Sequence, residues 1–95
     1  MPTYERTGRF DRDLAALDAA ERARFREAVR RFVGDLAGGT FRPGLRVRGV
    51  EGAPGIFEMT WAPNGRATFQ YGPSRGSGPH VIWRRVGTHD IFGEP

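Results

Sequence analysis

The sequence predicts an α+β fold: an N-terminal strand and an antiparallel helical hairpin packed on a mainly antiparallel sheet of four to five strands. Three observations lead there. Apolar residues recur at helical spacing between positions 10 and 36, and from Thr40 onward glycine and proline punctuate short β-rich runs. A single amphipathic hairpin then spans residues 56–72. Strand, two helices and then a run of strands is the element order of a layered α+β unit with sequential strands in a meander. At 95 residues without internal repeats, residues 1–95 are expected to form one domain.

Residues 3–6 suit a short first strand. Thr7 can cap a helix carrying Phe10, Leu14 and Leu17 on one face. Asp18-Ala19-Ala20-Glu21 reads as a capping box, in which the aspartate accepts from free backbone amides and the glutamate reaches back. The second helix places Phe25, Ala28, Val29, Phe32, Val33 and Leu36 in one stripe, and Gly38-Gly39 stops it. Its other face carries Arg22, Arg26 and Arg30, read as a solvated surface paired with Glu27 and Asp35 or as a contact for RNA.

Phe41-Arg42-Pro43-Gly44 reads as a loop, and Leu45-Arg46-Val47-Arg48 as an alternating strand with arginine on one face. Residues 49–55 form a turn-rich connection. In the hairpin, Ala62-Pro63-Asn64-Gly65 suits a three-residue loop with Gly65 left-handed, which would pair Ala62 with Arg66, Thr60 with Thr68 and Glu58 with Gln70. Phe57, Met59, Trp61, Ala67, Phe69 and Tyr71 then share an apolar face, while Glu58 and Arg66 share the opposite one. A two-residue turn at Asn64-Gly65 would shift the register by one and mix the faces. The stretch from Pro73 to Pro79 reads as a mobile loop, His80 to Val86 as the last strand, and Gly87-Thr88-His89-Asp90-Ile91-Phe92 as a tail.

Composition narrows the function classes. No cysteine is present, which removes disulfides and thiolate metal ligands and fits a cytoplasmic protein. The opening Met1-Pro2-Thr3-Tyr4-Glu5 lacks the apolar run of a secretory leader, and no stretch approaches the length of a membrane span. A net charge of +4 suits a polyanionic partner. All fifteen basic residues are arginine, which fits either a GC-rich genome or a demand for planar, phosphate-matching cations. The excess lies in the second half, since residues 1–40 hold eight arginines against seven carboxylates and residues 41–95 seven against four.

The residues together resemble RelE/ParE-superfamily toxins along nearly the whole length. The resemblance is carried by Phe10 to Leu17 opening the helical hairpin, Leu45-Arg46-Val47-Arg48-Gly49, Gly65-Arg66-Ala67-Thr68-Phe69-Gln70-Tyr71, and the closing Val86-Gly87-Thr88-His89-Asp90-Ile91-Phe92. Their order is more specific than any one of them. The closing run is similar to the YafQ branch, and YoeB and HigB relatives share the strand arginine. The resemblance implies a type II toxin, an mRNA interferase that enters the ribosomal A site, contacts ribosomal RNA, cleaves mRNA and is neutralised by a cognate antitoxin in a hetero-oligomer. It places Arg66 near the scissile phosphate, Arg46 and Arg48 among the basic strand residues, His89 where the tail supplies a catalytic side chain, Arg85 beside the tail, and Phe92 as the terminal aromatic. YafQ members use further upstream His and Asp residues, and no histidine precedes His80 here.

Metal-independent RNA cleavage through the neighbouring 2′-hydroxyl needs a base, cationic donors on the phosphate, and an acid for the leaving 5′-oxygen. His89 suits acid or base, and Glu58 is the complementary carboxylate or, alternatively, an ion-pair partner that orients Arg66. Arg66, always protonated, can hold a phosphate but cannot act as base. Arg46 and Arg48 bind RNA phosphate or keep an edge strand soluble; Phe92 stacks on a base or latches onto the core. Arg84 and Arg85 alternate across the strand, so only one joins the site unless the strand bulges. Trp61, Trp83 and Tyr71 are assigned to the core and His80 to a structural role, and neither metal nor cofactor is called for. The competing functions are a ParE-like inhibitor of DNA gyrase and a catalytically inactive protein-interaction module.

Overall fold

The computed structural model describes residues 2–74 and 78–95. The centre of the loop expected to be mobile, residues 75–77, lies outside the described residues. Strand β1 (Thr3–Arg6) leads into helices α1 (Gly8–Ala16) and α2 (Ala19–Gly38), followed by strands β2 (Arg48–Gly49), β3 (Phe57–Ala62), β4 (Gly65–Gly72) and β5 (His80–Gly87). The sheet order is β1-β5-β4-β3-β2. β1 lies parallel to β5 and every other pairing is antiparallel. The closing residues form a 3-10 turn, His89–Gly93.

The helix ends follow the chemistry of their caps. The Thr7 hydroxyl accepts from the Phe10 amide at 3.1 Å and donates to the Arg84 carbonyl at 3.2 Å, so one side chain starts α1 and ties it to β5. Both hydrogen bonds of the Asp18/Glu21 capping box are present, at 2.8 and 2.9 Å. Gly39 ends α2 in the left-handed conformation, with φ of 85°.

The helices cover one face of the sheet with an aromatic core. Phe32 is its centre, its ring 5.0 Å from Phe69, 5.2 Å from Trp83 and 5.2 Å from Phe41. Phe10, Phe25, Met59, Ala67, Val81 and Val86 complete the buried cluster, where each large side chain contributes about 1.5–3 kcal/mol of burial. Trp83 is buried and Trp61 packs at the edge of this core, as expected; Tyr71 departs from expectation. It sits at the far end of β4, flanked by Phe57 and Phe69 rings, and remains 42 % exposed.

The hairpin register differs from the sequence-based one. Phe57 pairs with Phe69, Glu58 with Thr68, Met59 with Ala67, Thr60 with Arg66 and Ala62 with Gly65, with an irregularity between Thr60 and Ala62. The turn is a two-residue one at Pro63-Asn64, neither the three-residue loop nor the Asn64-Gly65 turn weighed from the sequence, and Trp61 is an extra residue that restores the parity. A slip of two residues leaves each side chain on its face, so amphipathicity fixed the faces without fixing the pairing. Gly65 is not left-handed. Its role is steric, because a Cβ there would come within 2.5 Å of the Trp61 indole, whose Nε1 donates to the Arg66 carbonyl at 3.0 Å.

The strand expected over residues 45–48 is also shorter. Pro43–Leu45 form a 3-10 turn, Arg46 is left-handed at φ 49°, and only Arg48–Gly49 pair with β3. Pro43 starts that turn and buried Leu45 anchors it, which takes precedence over local β propensity.

Candidate active site on the open face of the sheet

The face turned away from the helices is built around one row of directly paired residues. Arg48 on β2 pairs with Glu58 on β3, Glu58 with Thr68 on β4, and Thr68 with Arg85 on β5. Glu58 is 6 % exposed and Thr68 fully buried, because the tail folds back over them. That tail is a run of 3-10 bonds, in which the Ile91 amide donates to the Thr88 carbonyl and the Glu94 amide to the Ile91 carbonyl, each at 3.1 Å. Ile91 is its buried plug. Gly87 permits the close approach: a Cβ there would lie 3.0 Å from the Ile91 side chain.

The turn also aligns the tail's two candidate site residues. Side chains three apart eclipse in a 3-10 turn, and the His89 and Phe92 rings meet edge to face at 5.6 Å. Both line a cleft of about 470 Å³ together with Arg48, Glu51 and Glu58. Arg48 Nε donates to Glu58 Oε1 at 3.0 Å, so the cleft presents a paired cation and carboxylate opposite an exposed imidazole. Four of the seven site residues singled out in the sequence, Glu58, Arg48, His89 and Phe92, therefore converge.

The other three do not line this cleft. Arg66 lies on the same face as Glu58, but its guanidinium curls over the hairpin turn and donates to the carbonyls of Ala62, Pro63 and Gly65 at 3.3, 3.4 and 2.9 Å. The cation beside Glu58 is Arg48, its direct partner across the strands. Arg46 stands outside the sheet and exposed, because its left-handed backbone ends the 3-10 turn instead of continuing a strand. Arg85 is tied to Asp13 on α1, Nε to Oδ2 at 2.6 Å, with its side chain only 13 % exposed.

The β5 strand does bulge. Phe69 pairs with Trp83 and Thr68 with Arg85, which makes Arg84 the extra residue. Its guanidinium reaches the open face, where it donates to Gln70 Oε1 at 2.5 Å and to the Pro95 carbonyl at 3.3 Å. Sequence reading placed Arg85, and not Arg84, beside the tail. The adjacent Arg84-Arg85 pair ahead of the core residue Val86 is the signal for a bulge.

His80 has the structural role assigned to it. It is buried, its Nδ1 shares a 2.7 Å hydrogen bond with the Thr3 hydroxyl, and its Nε2 lies 3.3 Å from the Glu5 carboxylate without hydrogen-bond alignment. Among the described residues no three His, Cys, Asp or Glu side chains are grouped to hold a metal ion. On the helical surface Glu27 takes Arg30 at 3.1 Å and Arg31 at 3.4 Å. Asp35 bonds Arg42 through both carboxylate oxygens, at 2.8 and 2.9 Å, and these bonds hold its carboxyl at about 2, below the usual 3.8.

No protein-family model and no curated protein matches the sequence. Solved structures do match the fold. The YafQ toxin of the Escherichia coli DinJ-YafQ toxin-antitoxin complex aligns with a TM-score of 0.65 at 14 % identity, over 95 % of this chain and 94 % of that one. RelE from the Methanococcus jannaschii RelB-RelE antitoxin-toxin complex aligns at 0.61 and 15 % identity, over 94 % of each chain. A YoeB/ParE toxin from Agrobacterium tumefaciens aligns at 0.66 and 14 % identity, over 92 % of this chain and 98 % of that one. The α+β fold, two helices on a five-stranded mixed sheet, is the RelE-like toxin fold.

Proposed function

We propose that this chain is the toxin of a type II toxin-antitoxin pair and acts in the cytoplasm as a metal-independent endoribonuclease on mRNA in the ribosomal A site. The observation that carries the reading is the cleft that unites His89, Glu58, Arg48 and Phe92. In the mechanism we propose, a base removes the proton from a ribose 2′-hydroxyl and the 2′-oxygen attacks the adjacent phosphorus. The bond to the 5′-oxygen breaks, an acid protonates that oxygen, and a 2′,3′-cyclic phosphate remains. His89 and Glu58 supply the base and the acid, histidine being the side-chain type whose protonation changes near neutral pH. Arg48 offers its fork to the phosphate oxygens as charge builds there.

Phe92 provides an aromatic edge against which an unstacked base can rest. Arg66, in the neighbouring row of the same face, becomes the second phosphate cation once RNA draws it from the hairpin carbonyls; Arg46 and Arg85 lie outside this cleft, where ribosomal RNA contacts suit the exposed Arg46. The rest of the fold agrees with such a role: no helix among the described residues is long and apolar enough to cross a membrane. Since YafQ and RelE are solved with DinJ and RelB, the partner expected here is an acidic antitoxin segment in a toxin-antitoxin hetero-oligomer.

The test is an in vitro translation reaction with mRNA 5′ ends mapped for the wild type and for His89→Ala and Arg48→Ala. Codon-phased cuts that fall by about 10²–10⁴-fold in His89→Ala support the assignment. Undiminished cutting in both variants overturns it. Gyrase poisoning by a wild type that cuts nothing selects the ParE-like function instead.

A further inference from the structure

A second basic site lies at the other end of the tail. Arg9 on α1, Arg84 at the β5 bulge and Arg85 beside it surround Glu94 and Pro95, with Thr7 lining the same pocket. Arg9 pairs with the Glu94 carboxylate at 3.2 Å, Arg85 donates to the Glu94 carbonyl at 2.8 Å, and Arg84 donates to the Pro95 carbonyl at 3.3 Å. The charges are unequally met. Arg85 has Asp13, but among the described residues no Asp or Glu side chain is bonded to Arg84, which donates to Gln70 and to a Pro95 oxygen. Three guanidinium groups share the Glu94 and Asp13 carboxylates, and an anion with several oxygens can bridge all three of them.

We propose that Arg9 and Arg84, with Arg85 held behind them by Asp13, form a phosphate site for the RNA backbone, and that Glu94 and Pro95 occupy it in the free protein. This rests on the ribonuclease reading for its ligand and adds a place where the same strand is gripped away from the cut. Glu58 and Arg85 belong to one row with only Thr68 between them. Two strand spacings put them about 10 Å apart, short enough for one RNA strand to reach both. Between Glu58 and Arg85 in that row, the buried Thr68 hydroxyl has no hydrogen-bond partner among the described residues. The Arg9–Glu94 pair that closes the site is exposed, at 49 and 77 %, so an RNA phosphate displaces it readily.

The experiment measures fluorescence anisotropy with a short RNA whose 2′-hydroxyls are methylated, which is bound and not cut. Arg9→Gln and Arg84→Gln are each expected to weaken binding on the order of fivefold and to lower the salt slope by about 0.7, the loss of one phosphate contact on a single strand. Deleting Glu94 and Pro95 is expected to tighten binding. Arg9 is a surface residue of α1, so its variant remains informative if Arg84→Gln does not fold. Unchanged affinity and slope in Arg9→Gln and in any folded Arg84→Gln, while His89→Ala still abolishes mRNA cutting, overturn this site and leave the ribonuclease reading standing. Arginine-dependent RNA binding by a wild type that cuts no mRNA retains the site and removes that reading. Loss of binding to an acidic partner peptide with RNA binding intact overturns the RNA assignment.

Discussion

The two faces of the sheet are covered by different means. On one, α2 lays Phe25, Ala28 and Phe32 across the sheet, and aromatic rings interlock from Phe10 to Phe69. On the other, a 3-10 turn of five residues holds a single plug, Ile91, above a row of polar and charged side chains. Burial that is apolar and redundant makes a platform, whereas burial that rests on one side chain over polar groups makes a cover that can lift.

Substitutions should separate the two. Phe32→Ala is expected to cost about 3–5 kcal/mol, since its ring is packed on three others, and to lower Tm by more than roughly 10 °C in a domain of this size; a shift of only a degree or two in calorimetry would remove the distinction. Ile91→Ala is expected to cost about 2 kcal/mol, at the low end for such a truncation because the tail can detach. Hydrogen exchange should then accelerate at Ile91 and Glu94 while the Phe69 amide keeps its protection, and mRNA cutting should fall because His89 loses its place. Equal acceleration on both faces would show one cooperative unit instead.

Arg48→Ala is expected to cost about 1 kcal/mol, leaving the nearly buried Glu58 without its cation, with the Arg48→Ala/Glu58→Gln double variant recovering part of the loss in urea unfolding. No recovery would mean that the pair does not couple. The smallest effect belongs to Asp35, which is on α2 but in neither the aromatic core nor the cleft. Its carboxyl is lowered to about 2 from 3.8 by Arg42, so its contribution is present above pH 4 and is lost as pH falls from about 4 toward 2. Asp35→Asn should lower Tm slightly at neutral pH and leave it unchanged near pH 2, where the two profiles converge, so that the acid limb flattens; an unaltered acid limb would refute it.

Much of the helical face was legible because its signals are local. Thr7, the Asp18/Glu21 box and Gly39 act within one turn of their own positions, and the apolar stripe of α2 repeats at the helix period. The polar face was legible only as a list. Alternation placed Glu58, Thr68 and Arg66 on one side, but pairing depended on Trp61 being an extra residue, which reflects how its indole fits over Gly65. The missed residues, Arg84 and Arg9, meet only because β5 bulges and the tail returns across the sheet.

By itself, then, the sequence determined the element order, the caps and which side chains share a face, all properties that periods of 3.6 and 2 encode within a few neighbours. The tertiary structure alone decided which arginine stands beside Glu58. Parity tells which side chains share a face and not which of them touch: the β2–β3 pairing sets Arg48 opposite Glu58, and Arg66 turns to the hairpin carbonyls.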